Sequence, residues 1–134
     1  MSTHPTGLDE LGEDEIRAAV GQLFVVGFEG AEPTAPDAVE RALTEGRIGG
    51  VILFSRNVSD VEQVVSLNEH IHACADEAVE APFVAIDQEG GRVVRIGEPL
   101  TDIPPMRAVS KLSDLRKVAD VSEVIASEIG ALGF

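Results

Sequence analysis

The sequence predicts an α/β fold with a parallel sheet, and two observations carry that prediction. Short apolar runs alternate with longer stretches in which apolar residues recur at helical spacing. No internal repeat or low-complexity run interrupts the alternation. A β-α-β-α-β-α order of this kind favours parallel strands joined by right-handed crossovers. An open doubly wound sheet and a closed (β/α)8 barrel both begin in this way, so the pattern leaves both open.

Local signals set the bounds of each predicted element. The run LFVVGF is nearly continuous in apolar residues, which is typical of a strand buried on both faces. Pro36 suits a first helical turn, and Gly133 suits a helix C-terminus. Asp60, with Gln63 three residues on, is typical of a helix N-cap. In chain order we expect a helix at 13–22, a strand at 23–28, a helix at 36–46, a strand at 51–54, a helix at 61–71, a strand at 83–87 and a helix at 115–132.

Length and composition indicate one small domain in a reducing compartment. The 134 residues fit a single domain, which we assign to 13–134 after a tail at 1–12. Hydrophobic residues make up 44% of the chain, enough to collapse, and no apolar run approaches the ~20 residues of a membrane helix. The start lacks the basic region and apolar core of a secretory signal. With the single Cys74, these features predict a cytoplasmic protein that does not bind membranes.

The stretch FVAIDQEGGRVVRI holds the candidate site. Asp87 ends an apolar strand at its carboxyl edge, where parallel α/β proteins place their sites. Gly90 and Gly91 permit positive φ angles and close backbone approach. We therefore expect Gly90 and Gly91 to support the loop, together with Glu89 and Arg92.

The two arginines of this stretch suggest what its acids do. Arg92 and Arg95 are close enough in sequence to favour the ionised forms of Asp87 and Glu89. An ionised carboxylate is a good acceptor for sugar hydroxyls and a poor general acid. One alternative stays open, namely an arginine–carboxylate lattice that only pins the loop. That alternative suits Glu89 and Arg92 better than Asp87 and Arg95.

Other chemistries find little support in the sequence. GFEG follows the first strand and EGG the third, so neither matches the G-x-G-x-x-G of a dinucleotide site, and no Walker lysine follows. His70 and His72 lie about 200° apart around a helix and cannot share a metal ion, which favours surface or packing roles. Cys74 has no adjacent base and is predicted to be a small buried thiol. We expect no metal and no cofactor, and the acidic composition disfavours nucleic-acid binding.

Six blocks in order resemble the N-terminal domain of glycoside hydrolase family 3. They are GQLFVVGF, GGVILFSRN, EQVVSLNEHI, AIDQEGGRVVR, TDIPPM and ASEIGALGF, and the resemblance covers essentially everything after about Glu13. Within that family the chain is most similar to the bacterial β-N-acetylhexosaminidases that trim cell-wall sugars.

The resemblance implies a partial TIM barrel, comprising about the first three βα units of a (β/α)8 domain. It implies hydrolysis of β-linked sugars, such as β-N-acetylglucosaminides, with retention of configuration, by a glycosidase of the β-N-acetylhexosaminidase or β-glucosidase type. Asp87 then accepts hydrogen bonds from hydroxyls of the sugar in the −1 subsite, and Arg95 contributes to the same pocket. Ser55, Arg56 and Asn57 match a family block to which we assign no chemical role.

The resemblance also implies that the catalytic groups lie elsewhere. In the family, an Asp nucleophile and a His acid/base lie far downstream, and neither motif occurs in these 134 residues. Asp87 and Glu89 are poor substitutes, because both are close to arginines and a retaining acid/base needs its protonated form. A barrel takes roughly 250 residues, so we expect a truncated piece whose unpaired sheet edges favour self-association. The alternative is a stand-alone, non-catalytic α/β module that binds sugar or a partner.

We predict that the 134-residue chain alone does not cleave sugars, because none of its residues is assigned as nucleophile or acid/base. A turnover assay with a chromogenic N-acetylglucosaminide measures this. Hydrolysis above the background of a chain-free control contradicts the prediction.

The acidic composition predicts adaptation to salt. The net charge of −14, from 24 acidic and 10 basic residues, is strongly self-repelling at low salt, and molar salt shortens the Debye length to a few ångström. We therefore expect the free energy of unfolding to be larger at molar salt than at low salt. Chemical denaturation at both concentrations tests this, and a stability that falls as salt rises argues against it.

Overall fold

The computed structural model describes residues 12–74 and 81–134. Within them the chain forms a three-stranded sheet in which the strands lie in chain order, parallel throughout, with helices between the strands. The predicted α/β class is therefore confirmed, and the predicted tail lies outside the described residues except for Gly12. The elements are α1 (Glu13–Gly21), β1 (Val25–Val26), α2 (Asp37–Thr44), β2 (Gly50–Leu53), a 3-10 turn (Ser55–Asn57), α3 (Val61–Ala73), β3 (Phe83–Ile86), α4 (Met106–Val109) and α5 (Leu115–Ala131).

All seven predicted elements occur, and two further ones were not predicted. The 3-10 turn follows β2 directly, and α4 begins after Pro105, whose fixed φ suits a helix start. The predicted C-terminal glycine is confirmed, since Gly133 has a φ of +91° just after α5. Strand β1 is two residues long instead of the six expected, because only Val25 and Val26 pair with β2.

The core lies between the sheet and helices α2 and α3. Residues alternate across β2, so Val51 and Leu53 face the helices while Ile52 points to the opposite face. Burial of each such aliphatic side chain contributes about 1.5–3 kcal/mol. The side chains with at most 2% exposure in this cluster are Leu43, Val51, Leu53, Leu67 and Ile71.

The opposite sheet face is largely uncovered by the described residues. Phe83 is 63% exposed and Val25 44%, although both belong to strands, and Leu23 just before β1 is 81% exposed. The expectation that residues 23–28 are buried on both faces is therefore wrong within the described part of the chain. The reason is that α2 and α3 cover only one face of the sheet.

The start of α3 carries the predicted N-cap. The Gln63 amide N donates to Asp60 Oδ1 over 2.8 Å, which satisfies one of the free amides at the helix start. The Gln63 side chain instead accepts from Ser59 N in the preceding loop and donates to Glu32 O in the loop after β1. The bond from Gln63 N, followed by the Ser59 hydroxyl, lowers the pKa of the Asp60 carboxyl below its ordinary 3.8.

We predict that Asp60→Ala lowers the melting temperature, whereas Asp60→Asn keeps most of the cap at neutral pH. Because the pKa of Asp60 is lowered by folding, the charge contributes stability above the unfolded value near 3.8 and loses it as the pH falls through the folded value. Thermal unfolding from pH 7 to pH 2.5 measures both effects. A gap between wild type and Asp60→Asn that stays constant over this range contradicts the assignment.

Candidate functional site

The site lies where the second and third strands end. Leu53 pairs in register with Ile86, so the next residues of the two strands, Phe54 and Asp87, emerge side by side at the carboxyl edge. Alternation sends both side chains to the face away from the helices. Parallel α/β proteins build their sites at this edge.

Asp87 and Arg95 form the polar pair predicted from the sequence. Arg95 Nη2 lies 3.5 Å from Asp87 Oδ2, with 24% of the arginine side chain and 45% of the aspartate side chain exposed. A half-exposed pair of this kind contributes only about 0–1 kcal/mol to folding. The pair instead orients the Asp87 carboxylate, because one side of that carboxylate faces a guanidinium and the rest is open to solvent.

Two glycines allow the loop to pass close to the segment before α4. Gly90 and Gly91 have φ angles of +80° and +60°, in the left-handed region that favours glycine. A Cβ on Gly90 would lie 2.5 Å from Ile103 O, and one on Gly91 would lie 2.6 Å from Pro105 Cγ. Gly91 N also donates to Ile103 O over 3.0 Å. The predicted conformation of both glycines is therefore confirmed.

Gln88 closes the loop on itself, and sequence reasoning missed it. Its side-chain amide donates to Ile96 O over 2.7 Å, and its carbonyl oxygen accepts from Arg95 N over 2.8 Å. These two bonds return the chain to Asp87 and fix the backbone that carries the arginine. The sequence feature that could have predicted this role was an amide side chain within a glycine-rich loop.

Glu89 and Arg92 are exposed, and their expected roles stay predictions. Glu89 N donates to Val93 O over 2.8 Å, so its backbone contributes to the turn. Within residues 12–74 and 81–134, neither side chain makes an ion pair. The alternative role, in which an arginine–carboxylate lattice pins the loop, is therefore not supported by any ion pair of these two side chains in that part of the chain.

The block Ser55–Asn57 ties the first strand end to the second. Asn57 is fully buried; its Nδ2 donates to Phe28 O and Gly30 O, and its Oδ1 accepts from Phe54 N. Arg56 Nε donates to Phe28 O over 2.9 Å and lies 3.0 Å from Glu29 Oε1. The loop after β1 is thus held against the turn after β2, a role that the sequence did not reveal.

A partly open cavity of about 230 Å³ lies beside the loop. Its lining includes Gln88, Gly90 and Asp102 but not Asp87. Asp87 faces open surface instead. The carboxylate is therefore accessible, as a binding role requires, without being enclosed by the described residues.

The remaining titratable candidates have structural partners. The Cys74 thiol is free and buried and donates to His70 O, and burial, followed by the charge of Glu40, raises the pKa of that thiol. His72 Nε2 lies 2.8 Å from Gly133 O.

In the described ranges no group of three or more His, Cys, Asp or Glu residues is arranged to hold a metal ion. None of the helices described there is long and apolar enough to cross a bilayer.

Parallel α/β proteins that bind small molecules do so at the carboxyl ends of their strands, which is where this acid–arginine pair lies. Residues 15–134 match the family model described as the glycosyl hydrolase family 3 N terminal domain. The chain belongs to glycoside hydrolase family 3, and the recognition made from the six sequence blocks is confirmed.

Several known proteins are similar to this chain. A Beta-hexosaminidase of Nitrosospira multiformis is 37% identical over 115 residues, covering 81% of this chain and 32% of the relative. One of Methylobacillus flagellatus is 39% identical over 110 residues, covering 78% and 30%. This chain therefore spans about a third of the length of the curated relatives it matches.

Solved structures give the same fold. A family 3 β-N-acetylglucosaminidase of Paenibacillus sp. str. FPU-7 superposes with a TM-score of 0.80 at 34% identity, over 89% of this chain and 22% of that one. NagZ of Neisseria gonorrhoeae, in complex with N-trifluoroacetyl-D-glucosamine, superposes with a TM-score of 0.67 at 29% identity, over 82% and 34%. The predicted fold class, the opening βα units of a (β/α)8-type barrel, is confirmed by these neighbours.

Proposed function

We propose that this chain supplies the sugar-binding part of a glycoside hydrolase that acts on β-N-acetylglucosaminides. Family membership, the relatives named Beta-hexosaminidase and the NagZ complex with N-trifluoroacetyl-D-glucosamine support this substrate class. The observation that carries the proposal is the half-exposed carboxylate of Asp87 beside the guanidinium of Arg95 at the strand edge.

The chemistry of the pair suits a sugar. An ionised carboxylate only accepts hydrogen bonds, so neighbouring hydroxyls of one sugar ring can both donate to Asp87. A hydrogen bond to a charged group contributes about 1.5–3 kcal/mol. The guanidinium of Arg95 supplies donors for a sugar oxygen and holds the carboxylate in one orientation.

Asp87 binds and does not cleave in this proposal. A retaining glycosidase needs one carboxylic acid to donate a proton and a second carboxylate to attack the sugar, about 5–5.5 Å apart. Asp87 instead pairs with the Arg95 guanidinium, and we assign it to neither of these two roles. The absence of a catalytic residue from the described ranges, as expected from the sequence, stays a prediction.

The other expected properties also enter as proposals. Self-association through the unpaired sheet edges is one of them, and the exposed apolar side chains of Leu23, Phe24 and Phe83 beside those edges support it. The cytoplasmic location and the exclusion of nucleic acid rest on the composition alone. The domain bounds of 13–134 rest on the sequence blocks alone.

We predict that Asp87→Asn weakens the binding of N-acetylglucosamine about 10- to 100-fold, because an amide replaces one charged acceptor with a donor. Asp87→Ala removes both acceptors and is expected to weaken binding further. Titration of the isotope-labelled chain, followed by the amide resonances of the loop, measures the dissociation constants.

Asp102→Asn is the matched control, because Asp102 is an exposed acid of the same region that lines the neighbouring cavity and not the Asp87 surface. Binding by this control is expected to equal that of wild type. Equal affinities for Asp87→Ala and wild type, or an equal loss in both asparagine variants, contradict the proposed function.

A further inference from the structure

Two guanidinium groups converge on one aromatic ring at the strand edge. Arg56 Cζ lies 4.6 Å from the centroid of the Phe54 ring, and Arg95 Cζ lies 5.9 Å from it. Each guanidinium also has a carboxylate close by, Glu29 at 3.0 Å for Arg56 and Asp87 at 3.5 Å for Arg95. The result is a continuous chain of contacts across the ends of all three strands.

The Phe54 ring is one of two contacts of the Arg95 guanidinium at this edge. A cation within about 6 Å of an aromatic centroid is attracted by the negative face of the ring. Arg95 Nε is buried and has no hydrogen-bond partner among the described residues, so no directional bond fixes that end of the guanidinium there. The ring and the 3.5 Å ion pair with Asp87 are therefore the contacts that select its position.

The ring is itself held from the side of the first strand. Arg56 is anchored by its bond to Phe28 O, and its guanidinium stacks over Phe54 at the shorter of the two distances. A Cβ on Gly27 would lie 3.1 Å from Arg56 Nη2 and 3.3 Å from Phe54 Cε2. The missing side chain at Gly27 thus leaves the space that the ring and the first guanidinium fill.

We propose that Phe54 is a positioning residue of the sugar site, which acts through Arg95 and does not itself contact the sugar. The ring holds the Arg95 guanidinium beside Asp87, so that the carboxylate and the guanidinium face a ligand in one fixed arrangement. Arg56 and Gly27 keep the ring in place. The sugar as ligand rests on the proposed function, whereas the contact between ring and guanidinium stands on the geometry alone.

The test compares Phe54→Leu with Phe54→Tyr in the full chain labelled with ¹⁵N. Leucine keeps an apolar side chain but has no ring, whereas tyrosine keeps the ring face. Phe54→Leu is expected to remove the ring-current shift of the Arg95 Nε–H resonance and to weaken N-acetylglucosamine binding about tenfold. Phe54→Tyr is expected to retain both, and Phe54→Met replaces the leucine variant if that variant does not fold.

Phe83→Leu is the matched control, because Phe83 is an exposed phenylalanine at the start of β3, at the opposite end of that strand from Asp87. It is expected to change neither the Arg95 resonance nor sugar affinity. An unchanged Arg95 resonance in Phe54→Leu contradicts the contact between ring and guanidinium, and an unchanged sugar affinity in that variant overturns the positioning role. A wild-type chain that binds no sugar, while the resonance still moves in Phe54→Leu, contradicts the proposed function and supports the contact.

Discussion

The in-register parallel pairing of β2 with β3 is the constraint on which the site depends. It places Phe54 next to Asp87 on the same face of the sheet, although 32 residues separate them in sequence. A slip of one residue would send one of these side chains to the opposite, helix-covered face. The pairing is stabilised from that opposite face, where Val51, Leu53 and Val84 pack under α2 and α3.

The second requirement is a loop that returns Arg95 to the strand it has just left. Gly90 and Gly91 supply the left-handed turn, and the amide of Gln88 bonds to the backbone on the returning side. These bonds are internal to the loop, so they fix its shape without occupying the carboxylate of Asp87. A binding group prepared in this way loses little conformational freedom when a ligand arrives, which favours affinity.

The sequence predicted most of the fold and the proximity of Asp87 and Arg95, because periodicity, caps and glycines are local signals. It did not predict that β1 is only two residues long, because that length depends on how many residues pair with β2, here Val25 and Val26. It also did not predict the exposure of Leu23, because that depends on which sheet face the helices cover. The sequence also did not predict that two arginines lie against the Phe54 ring. That contact joins residues that are brought together by the register of the strands and by the loop that returns to the strand end, and the spacing of residues along the sequence predicts neither.

A structure of the chain with N-acetylglucosamine bound would show directly whether Asp87 binds the sugar. We expect two sugar hydroxyl oxygens within hydrogen-bond distance, about 2.5–3.0 Å, of the Asp87 carboxylate. We also expect that the Arg95 guanidinium remains over the Phe54 ring, within about 6 Å of its centroid. A sugar bound elsewhere, with the Asp87 carboxylate still solvated, would contradict the binding role of Asp87.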